Sequence, residues 1–234
     1  MGMAWGIGYN IVARLLEKER SSAQGLNLFF VGNFLASWMG AKFFFLVFSS
    51  GVDISKHAES ANFWLGGGFI FYGGFLFALA FSFFYIFVLK KFDSRKIHVF
   101  FPAIAFGHGI GRLGCFLAGC CYGKITDSPL AVHIHSAYRH PVQLYEAILL
   151  FGLGTLLLFL IKKKQQGTRI LLAYLGPYAF IRFFVEFFRG DEIRGLFYYA
   201  LSTSQIISLA IMLVVLLFSG YEIVKGERVG GKTR

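Results

Sequence analysis

Long apolar stretches separated by short charged segments run the length of the chain. Six are clear, at residues 27–50, 62–89, 97–122, 142–161, 168–189 and 196–221. Each is close to or above the roughly 20 apolar residues that a helix needs to cross a bilayer. A seventh, residues 1–16, is shorter and is expected to tilt toward an interface or to start within the membrane. The pattern predicts an all-α polytopic membrane protein with about seven transmembrane helices.

Basic residues are unequally distributed between alternate loops. Residues 1–16 count here as the first of the seven stretches. The loops after the first, third and fifth stretches hold three, four and four basic residues, and residues 222–234 hold four more. Together these are 15 of the 23 lysines and arginines. The three intervening loops hold five, and the remaining three lie inside the stretches. Because Lys and Arg collect in cytoplasmic loops, we expect the N-terminus outside and the C-terminus in the cytoplasm. Residues 123–141 then form a periplasmic loop and residues 222–234 a basic cytoplasmic tail.

Composition supports the same interpretation. The chain is 56% hydrophobic and 15% charged, whereas a soluble domain is about 25% charged. We therefore expect a single integral membrane domain over residues 1–234. A net charge of +11 would suggest nucleic acid for a soluble protein, but the basic loops account for it, so no nucleic-acid partner is expected. Three cysteines cannot pair completely, which excludes a disulfide framework.

Arg112 lies within the fourth stretch, where a charge costs at least about 2.5 kcal/mol. Two interpretations remain open: an ion pair with a buried carboxylate, or a bound phosphate, whose geometry a guanidinium matches bidentately. His108, Arg112 and Cys115 are spaced to share one helix face. The glycines around Arg112 are expected mainly to allow close helix packing, although a glycine-lined backbone also admits a ligand.

A second polar stripe lies in the sixth stretch. Its members fall on one helix face, at Tyr178, Arg182, Glu186 and Arg189. Arg182 is expected to pair with Glu186 one turn on, to bind a phosphate, or to do both, because a paired arginine keeps further donors.

Histidines and cysteines raise the question of a metal site. His133 and His135 alternate with apolar residues, which indicates a short edge strand, and the loop histidines lack firm ligand spacing. Adjacent cysteines rarely ligate one tetrahedral ion, so no metal site is predicted at Cys115, Cys120 and Cys121. Packing is the default role of these cysteines. The alternative is a reactive thiol at Cys115 or Cys120, activated by Arg112.

Three ordered runs of residues carry a resemblance to a known family. They are Gly111-Arg112-Leu113-Gly114 with Phe116, Gly119 and Gly123; His140-Pro141-Val142-Gln143-Leu144-Tyr145-Glu146; and Tyr178 to Arg189. In this order, and over nearly the whole chain, the sequence resembles the prolipoprotein diacylglyceryl transferase family. Tyr72-Gly73-Gly74 stands where that family usually has His-Gly-Gly.

The resemblance implies transfer of a diacylglyceryl group from phosphatidylglycerol to the thiol of a lipobox cysteine, with loss of glycerol phosphate. The implied partners are phosphatidylglycerol and the signal peptide of a preprolipoprotein, in the bacterial inner (cytoplasmic) membrane, with no metal or organic cofactor. Arg112 and Arg182 are expected to stabilise the departing phosphate. The base for the thiol is His140, Tyr178 or Glu186. The residues expected to bind substrate are Arg112, Gly111, Gly114, Gly123, Tyr72, Gly73, Gly74, Gln143, Tyr145, Glu146 and Arg189.

Three positions depart from the family pattern: Cys115 replaces an asparagine, Cys120 a glutamate and Tyr72 a histidine. Two other functions therefore stay open. One is a related phospholipid-group transfer to a different acceptor. The other is a lipid transporter or binding protein without chemistry, which predicts an inverted internal repeat that the sequence does not convincingly show.

Overall fold

A computed structural model describes residues 2–20, 23–48, 63–64, 68–190, 196–197 and 201–230. Some predicted features lie outside these ranges. They are the start of the third apolar stretch at residue 62, the loop residues Lys56 and Arg194, and the end of the basic tail at residues 231–234.

Seven α-helices make up most of the described chain. They are α1 (Gly2–Lys18), α2 (Leu26–Phe48), α3 (Phe71–Phe83), α4 (Phe100–Leu117), α5 (Val142–Lys162), α6 (Gly167–Phe188) and α7 (Thr203–Gly230). A π-helical turn, Phe84–Val88, continues α3, and a 3-10 helix, Ser94–Val99, precedes α4. Two short antiparallel hairpins pair β1 (Val132–Ile134) with β2 (Ala137–Arg139), and β3 (Leu196–Phe197) with β4 (Leu201–Ser202).

Five of the helices in the described part of the chain are long and apolar enough to cross a membrane: α2, α4 with its 3-10 turn, α5, α6 and α7 as far as Tyr221. The apolar helix Tyr72–Val88 is shorter, and α1 has 17 residues. Large apolar side chains remain exposed on these helices, for example Leu213, Leu216 and Leu217 on α7. Such surfaces suit lipid rather than water, so the prediction of a helical, multi-pass membrane protein is confirmed.

The described residues divide into two compact units, residues 15–96 and residues 1–14 with 97–234. In the first unit, α2 and α3 pack through glycines. A Cβ on Gly40 would clash with the carbonyl oxygen of Gly73, and a Cβ on Gly73 with that of Gly40. A Cβ on Gly74 would lie 2.9 Å from the carbonyl oxygen of Ser37. Close backbone approach of this kind stabilises helix pairs in lipid, so helix packing accounts for Gly73 and Gly74.

In the second unit, α4 and α5 interlock through reciprocal pairs of glycine and phenylalanine. A Cβ on Gly109 would lie 2.6 Å from the Phe151 ring, and a Cβ on Gly154 would lie 2.7 Å from the Phe106 ring. The two rings stack with centroids 6.1 Å apart. This packing fixes the rotation of α4 against α5, and with it the directions of the polar side chains nearer the loop at residues 118–141.

That loop carries the β1–β2 hairpin. Its two turn residues, His135 and Ser136, have positive φ angles of 49° and 60°, as a two-residue type I′ hairpin turn requires. The strand predicted around His133 is therefore confirmed. Three backbone hydrogen bonds fasten the loop: Gly123 to His140, His140 to Lys124, and Lys124 to Phe188 at the end of α6.

Candidate active site

Polar side chains of the second unit gather at one end of three helices. Arg112 lies near the C-terminal end of α4, Glu146 lies near the N-terminal end of α5, and Arg182 and Glu186 lie in the last two turns of α6. The loop 118–141 joins α4 to α5 at this same end. The candidate site therefore combines residues that are far apart in sequence.

Arg112 forms an ion pair with Glu146 on the neighbouring helix. Its Nε lies 2.9 Å from Oε2 of Glu146, and its Nη2 donates a 3.0 Å hydrogen bond to Oε1. Glu146 is 2% exposed, and Nε2 of His108 lies 3.7 Å from its Oε1. The ion-pair interpretation of Arg112 is thus confirmed. Among the described residues the hydrogen bond of Arg112 is donated by Nη2, so the guanidinium keeps Nη1 for a second anion.

Arg182 makes the predicted pair within α6. Its Nη2 lies 2.8 Å from Oε2 of Glu186 and donates a 3.3 Å hydrogen bond to the hydroxyl of Ser204. Nη1 of Arg189 lies 3.8 Å from the same Glu186 oxygen. Nη1 of Arg182 is buried and has no hydrogen-bond partner in the described part of the chain. A buried donor left without a partner costs about 1–3 kcal/mol, so this atom favours an acceptor such as a phosphate oxygen.

The two arginines act on the same neighbours. The charges of Arg112, Arg182 and Glu146 all act on the side chains of His108 and Tyr178. The His108 and Tyr178 rings lie 5.5 Å apart. Arg112 contacts Glu146, Glu146 approaches His108, and the His108 ring packs near Tyr178, one turn before Arg182 on α6. The two arginines therefore belong to one polar region, which suits binding of a phosphate.

The glycines near Arg112 differ in their surroundings. A Cβ added at Gly111 or Gly114 would meet no atom within 4 Å, so the α4 surface beside Arg112 is open enough to admit a ligand. Gly123 is different, because a Cβ there would clash with the backbone of His140. Close packing of the loop accounts for Gly123.

His140 and Gln143 lie where the loop enters α5. Nδ1 of His140 lies 3.3 Å from the hydroxyl of Tyr145, and its ring packs 5.3 Å from that of Phe188. Gln143 is buried, and its Nε2 donates a 2.7 Å hydrogen bond to the carbonyl oxygen of Cys120. Gln143 therefore holds the segment that carries the cysteines.

The C-terminus of α4 brings the three cysteines together. Gly119 has a φ of +66°, and the chain closes there in a Schellman motif. The N–H of Cys120 donates to the Cys115 carbonyl over 3.1 Å, and the N–H of Gly119 donates to that of Phe116 over 3.1 Å. This motif ends the helix at Leu117, five residues before the predicted end at 122. All three sulfur atoms lie within 4.8 Å of one another.

The environments of the three thiols differ. A hydrogen bond from the Cys115 thiol lowers the pKa of Cys121 to about 5, and the charges of Arg189 and Arg112 act in the same direction. Partial burial of its sulfur raises the pKa of Cys120. Cys120 as a residue is exposed, so core packing does not account for it. The sequence favoured packing for the cysteines and offered a reactive thiol at Cys115 or Cys120 as the alternative, and that alternative stays a prediction.

Known proteins resemble this chain over most of its length. A family profile described as prolipoprotein diacylglyceryl transferase matches residues 1–221. The chain belongs to the prolipoprotein diacylglyceryl transferase family. A phosphatidylglycerol–prolipoprotein diacylglyceryl transferase of Clostridium tetani is 33% identical over 219 residues, covering 87% of this chain and 85% of the relative. Proteins of the same name from Finegoldia magna (31% over 210 residues, covering 88% and 82%) and Clostridium botulinum strain Hall (28% over 241 residues, covering 97% and 91%) are also similar.

Family membership confirms the resemblance drawn from the motifs around Arg112, His140 and Arg182. The structure brings Arg112, Glu146, Tyr178 and Arg182 together. Tyr72, Gly73 and Gly74 lie on α3 in the other unit, and their expected role in substrate binding stays a prediction. The sequence placed His108 on the same face of α4 as Arg112 but did not predict its approach to Glu146. Its position one turn before Arg112 could have suggested that both side chains reach the same carboxylate.

Proposed function

We propose that this transferase moves a diacylglyceryl group from phosphatidylglycerol to the lipobox cysteine thiol of a preprolipoprotein and releases glycerol phosphate. The proposal is supported by the names of the relatives and by the paired arginines of the site. The observation that carries it is the buried Nη1 of Arg182, which has no hydrogen-bond partner among the described residues. A phosphate oxygen would satisfy this donor.

In this proposal, Arg112 and Arg182 hold the phosphate of phosphatidylglycerol from two sides. Their carboxylate partners, Glu146 and Glu186, fix the two guanidinium groups before substrate binds. Negative charge develops on the phosphate oxygen as the glyceryl carbon–oxygen bond breaks, and fixed donors lower the barrier without reorganising. The open surface at Gly111 and Gly114 gives the headgroup room beside Arg112.

We assign the base for the incoming thiol to His140. Oε2 of Glu186 already lies between the guanidinium groups of Arg182 and Arg189, so this carboxylate serves to hold the arginines. A tyrosine hydroxyl keeps its proton at neutral pH and is a poor proton acceptor. A histidine ionises near pH 6.5, which suits proton transfer at neutral pH. Nδ1 of His140 faces Tyr145, so its Nε2 would accept the proton.

The same proposal includes the topology. We propose that all seven helices cross the bacterial cytoplasmic membrane, with the N-terminus outside and the C-terminus inside. The bias of basic residues, 15 against five, supports this orientation. The site would then lie toward the outer face, where the ends of α4 and α6 and the start of α5 meet. A lipobox cysteine emerging from the membrane would meet the site on that side.

The test is product analysis with purified protein in nanodiscs containing phosphatidylglycerol and a fluorescent lipobox peptide. Mass spectrometry should find the peptide heavier by one diacylglyceryl group, whereas a peptide with serine in place of the cysteine should be unchanged. Arg182→Ala should lower the rate by roughly 10²–10³, and Arg182→Lys should fail similarly because a point charge cannot replace the guanidinium fork. Arg95→Ala, at an exposed arginine, serves as the matched control.

Two results would contradict the proposal. The first is turnover of phosphatidylglycerol with the label appearing on an acceptor other than the peptide thiol, which indicates a different transfer. The second is lipid binding without turnover, which indicates a transporter or binding protein. Rescue of a strain depleted of its diacylglyceryl transferase provides an independent check in cells.

A further inference from the structure

The three sulfur atoms at the end of α4 form a group that the proposed reaction does not yet use. They lie within 4.8 Å of one another. In a tetrahedral zinc site with Zn–S bonds of about 2.3 Å, neighbouring sulfurs lie about 3.8 Å apart. Small side-chain rotations therefore suffice for Cys115, Cys120 and Cys121 to ligate one ion, although two of them are adjacent in sequence.

The backbone holds this group in place. The Schellman hydrogen bond from the N–H of Cys120 to the carbonyl of Cys115 holds Cys120 beside the last turn of α4. Cys121 has a φ of 57°, which is uncommon for a residue other than glycine and here accompanies the approach of its sulfur to Cys115. The buried Gln143 amide fixes the Cys120 carbonyl. Strained backbone that persists in this way is concentrated at functional sites.

We propose that Cys115, Cys120 and Cys121 bind one Zn²⁺ and leave its fourth coordination position for the thiol of the acceptor cysteine. This inference rests on the proposed function. Zinc sites closed by four protein ligands are structural, whereas catalytic sites have three protein ligands and one open position. Within the described ranges, no His, Asp or Glu joins the three sulfurs as a fourth ligand.

The surroundings suit such an ion electrically and sterically. Three thiolates and Zn²⁺ carry a net charge of −1, and the positive charges of Arg189 and Arg112 both act on the Cys121 sulfur. Cys120 is exposed while its two partners are half-buried, so an incoming thiol has access on the Cys120 side. Because Arg112 acts on the cluster and is also proposed to hold the phosphate, thiol and phospholipid would bind next to each other.

The chemistry balances without any change of oxidation state. A thiol that coordinates zinc loses its proton at neutral pH, and this proton passes to solvent or to His140. The bound thiolate attacks the glyceryl carbon that is attached to the phosphate oxygen. A sulfur–carbon bond forms, the carbon–oxygen bond breaks, and its electron pair leaves with glycerol phosphate. The thioether product is neutral and a weaker ligand than a thiolate, so it dissociates and frees the position.

Metal binding is measured first, because it does not depend on activity. Full-length protein in nanodiscs, kept reduced with a phosphine, should bind one Zn²⁺ per chain. The variants Cys115→Ser, Cys120→Ser and Cys121→Ser should each bind zinc at least about 100-fold more weakly. Loss of a residue that only supports a metal ligand already lowers metal affinity by up to about 100-fold, so loss of a ligand should lower it at least as much. His133→Ala, at an exposed histidine of the same loop, should bind zinc normally. Monodisperse elution of each variant shows that it has folded.

The open position is tested with Co²⁺ in place of zinc. The cobalt protein should show thiolate-to-metal charge-transfer absorption, and this band should strengthen when the lipobox peptide binds. The serine peptide should leave it unchanged. Removal of zinc by a chelator should lower transfer at least tenfold, and added Zn²⁺ should restore it.

The possible failures are distinguishable. Transfer at the full rate by zinc-free protein, or by the triple serine variant, overturns this inference while the proposed function stands. Preference for Cu⁺ over Zn²⁺, or a disulfide among the three cysteines in place of metal, overturns it as well. Zinc-loaded protein that binds the peptide thiol and transfers nothing overturns the proposed function instead.

Discussion

The ion pair between Arg112 and Glu146 allows a structural role to be separated from a role in catalysis. The variants are Arg112→Gln, Glu146→Gln and the two together. At 2.9 Å and an effective dielectric constant of about 20, the attraction between the two charges is about 5–6 kcal/mol. Both groups are largely buried, with 15% and 3% of the side chains exposed, so their desolvation offsets much of this attraction.

Either single change leaves one buried charge without its partner, and breaking a buried pair in this way costs about 3–5 kcal/mol. For a chain of this size that corresponds to a fall in melting temperature of roughly 6–20 °C. The double variant leaves no buried charge, so it should recover much of the lost stability, with a coupling free energy of about 2–3 kcal/mol. Transfer activity should not recover, because the donor to the phosphate is still absent. We expect rates lower by about 10²–10³ in both variants that lack Arg112.

The assays are thermal unfolding in detergent and product formation in nanodiscs. The exposed pair Asp93–Arg95 provides the matched control, and the same changes there should alter neither property. A double variant that is both stable and fully active would refute the phosphate role and leave Arg112 as a structural ion pair only. Single variants as stable as the unmodified protein would refute the energetic argument.

Three further predictions concern packing, access and topology. Gly111→Ala should leave the protein as stable or slightly more stable, because alanine favours helix by about 1 kcal/mol over glycine. The same change should raise KM for phosphatidylglycerol about tenfold, because the added methyl group fills the open surface. An unchanged KM would show that no headgroup lies there. Gly154→Ala should destabilise the protein by about 1–3 kcal/mol by overpacking against Phe106, whereas Gly152→Ala, also on α5 but without a neighbour within 4 Å, should not; equal melting temperatures would contradict the interlock. In a variant whose three native cysteines are replaced by serine, a cysteine introduced by Gln165→Cys should react with a membrane-impermeant maleimide only from the cytoplasmic side, and labelling from outside alone would reverse the proposed topology.

Helices, their approximate ends and the polar stripes could be read from the sequence because they depend on local regularities. Bilayer thickness sets the length of the apolar stretches, and the helical repeat places Arg182 beside Glu186 wherever the helix packs. Loop details were less accessible. The fourth stretch was predicted to end at 122 because its residues remain apolar, yet the left-handed conformation of Gly119 closes the helix at Leu117.

Which groups meet across helices was decided only by the tertiary structure. Glu146 is 34 residues from Arg112, and nothing in the spacing of either helix selects it over another carboxylate. The glycine and phenylalanine interlock of α4 with α5 fixes the relative rotation and so makes that choice. The roles of individual glycines were undecided for the same reason: Gly123 packs against a neighbouring backbone, while Gly111 faces open space. The grouping of the three sulfurs likewise depends on a backbone reversal at Cys121, whose φ of 57° no propensity of cysteine predicts.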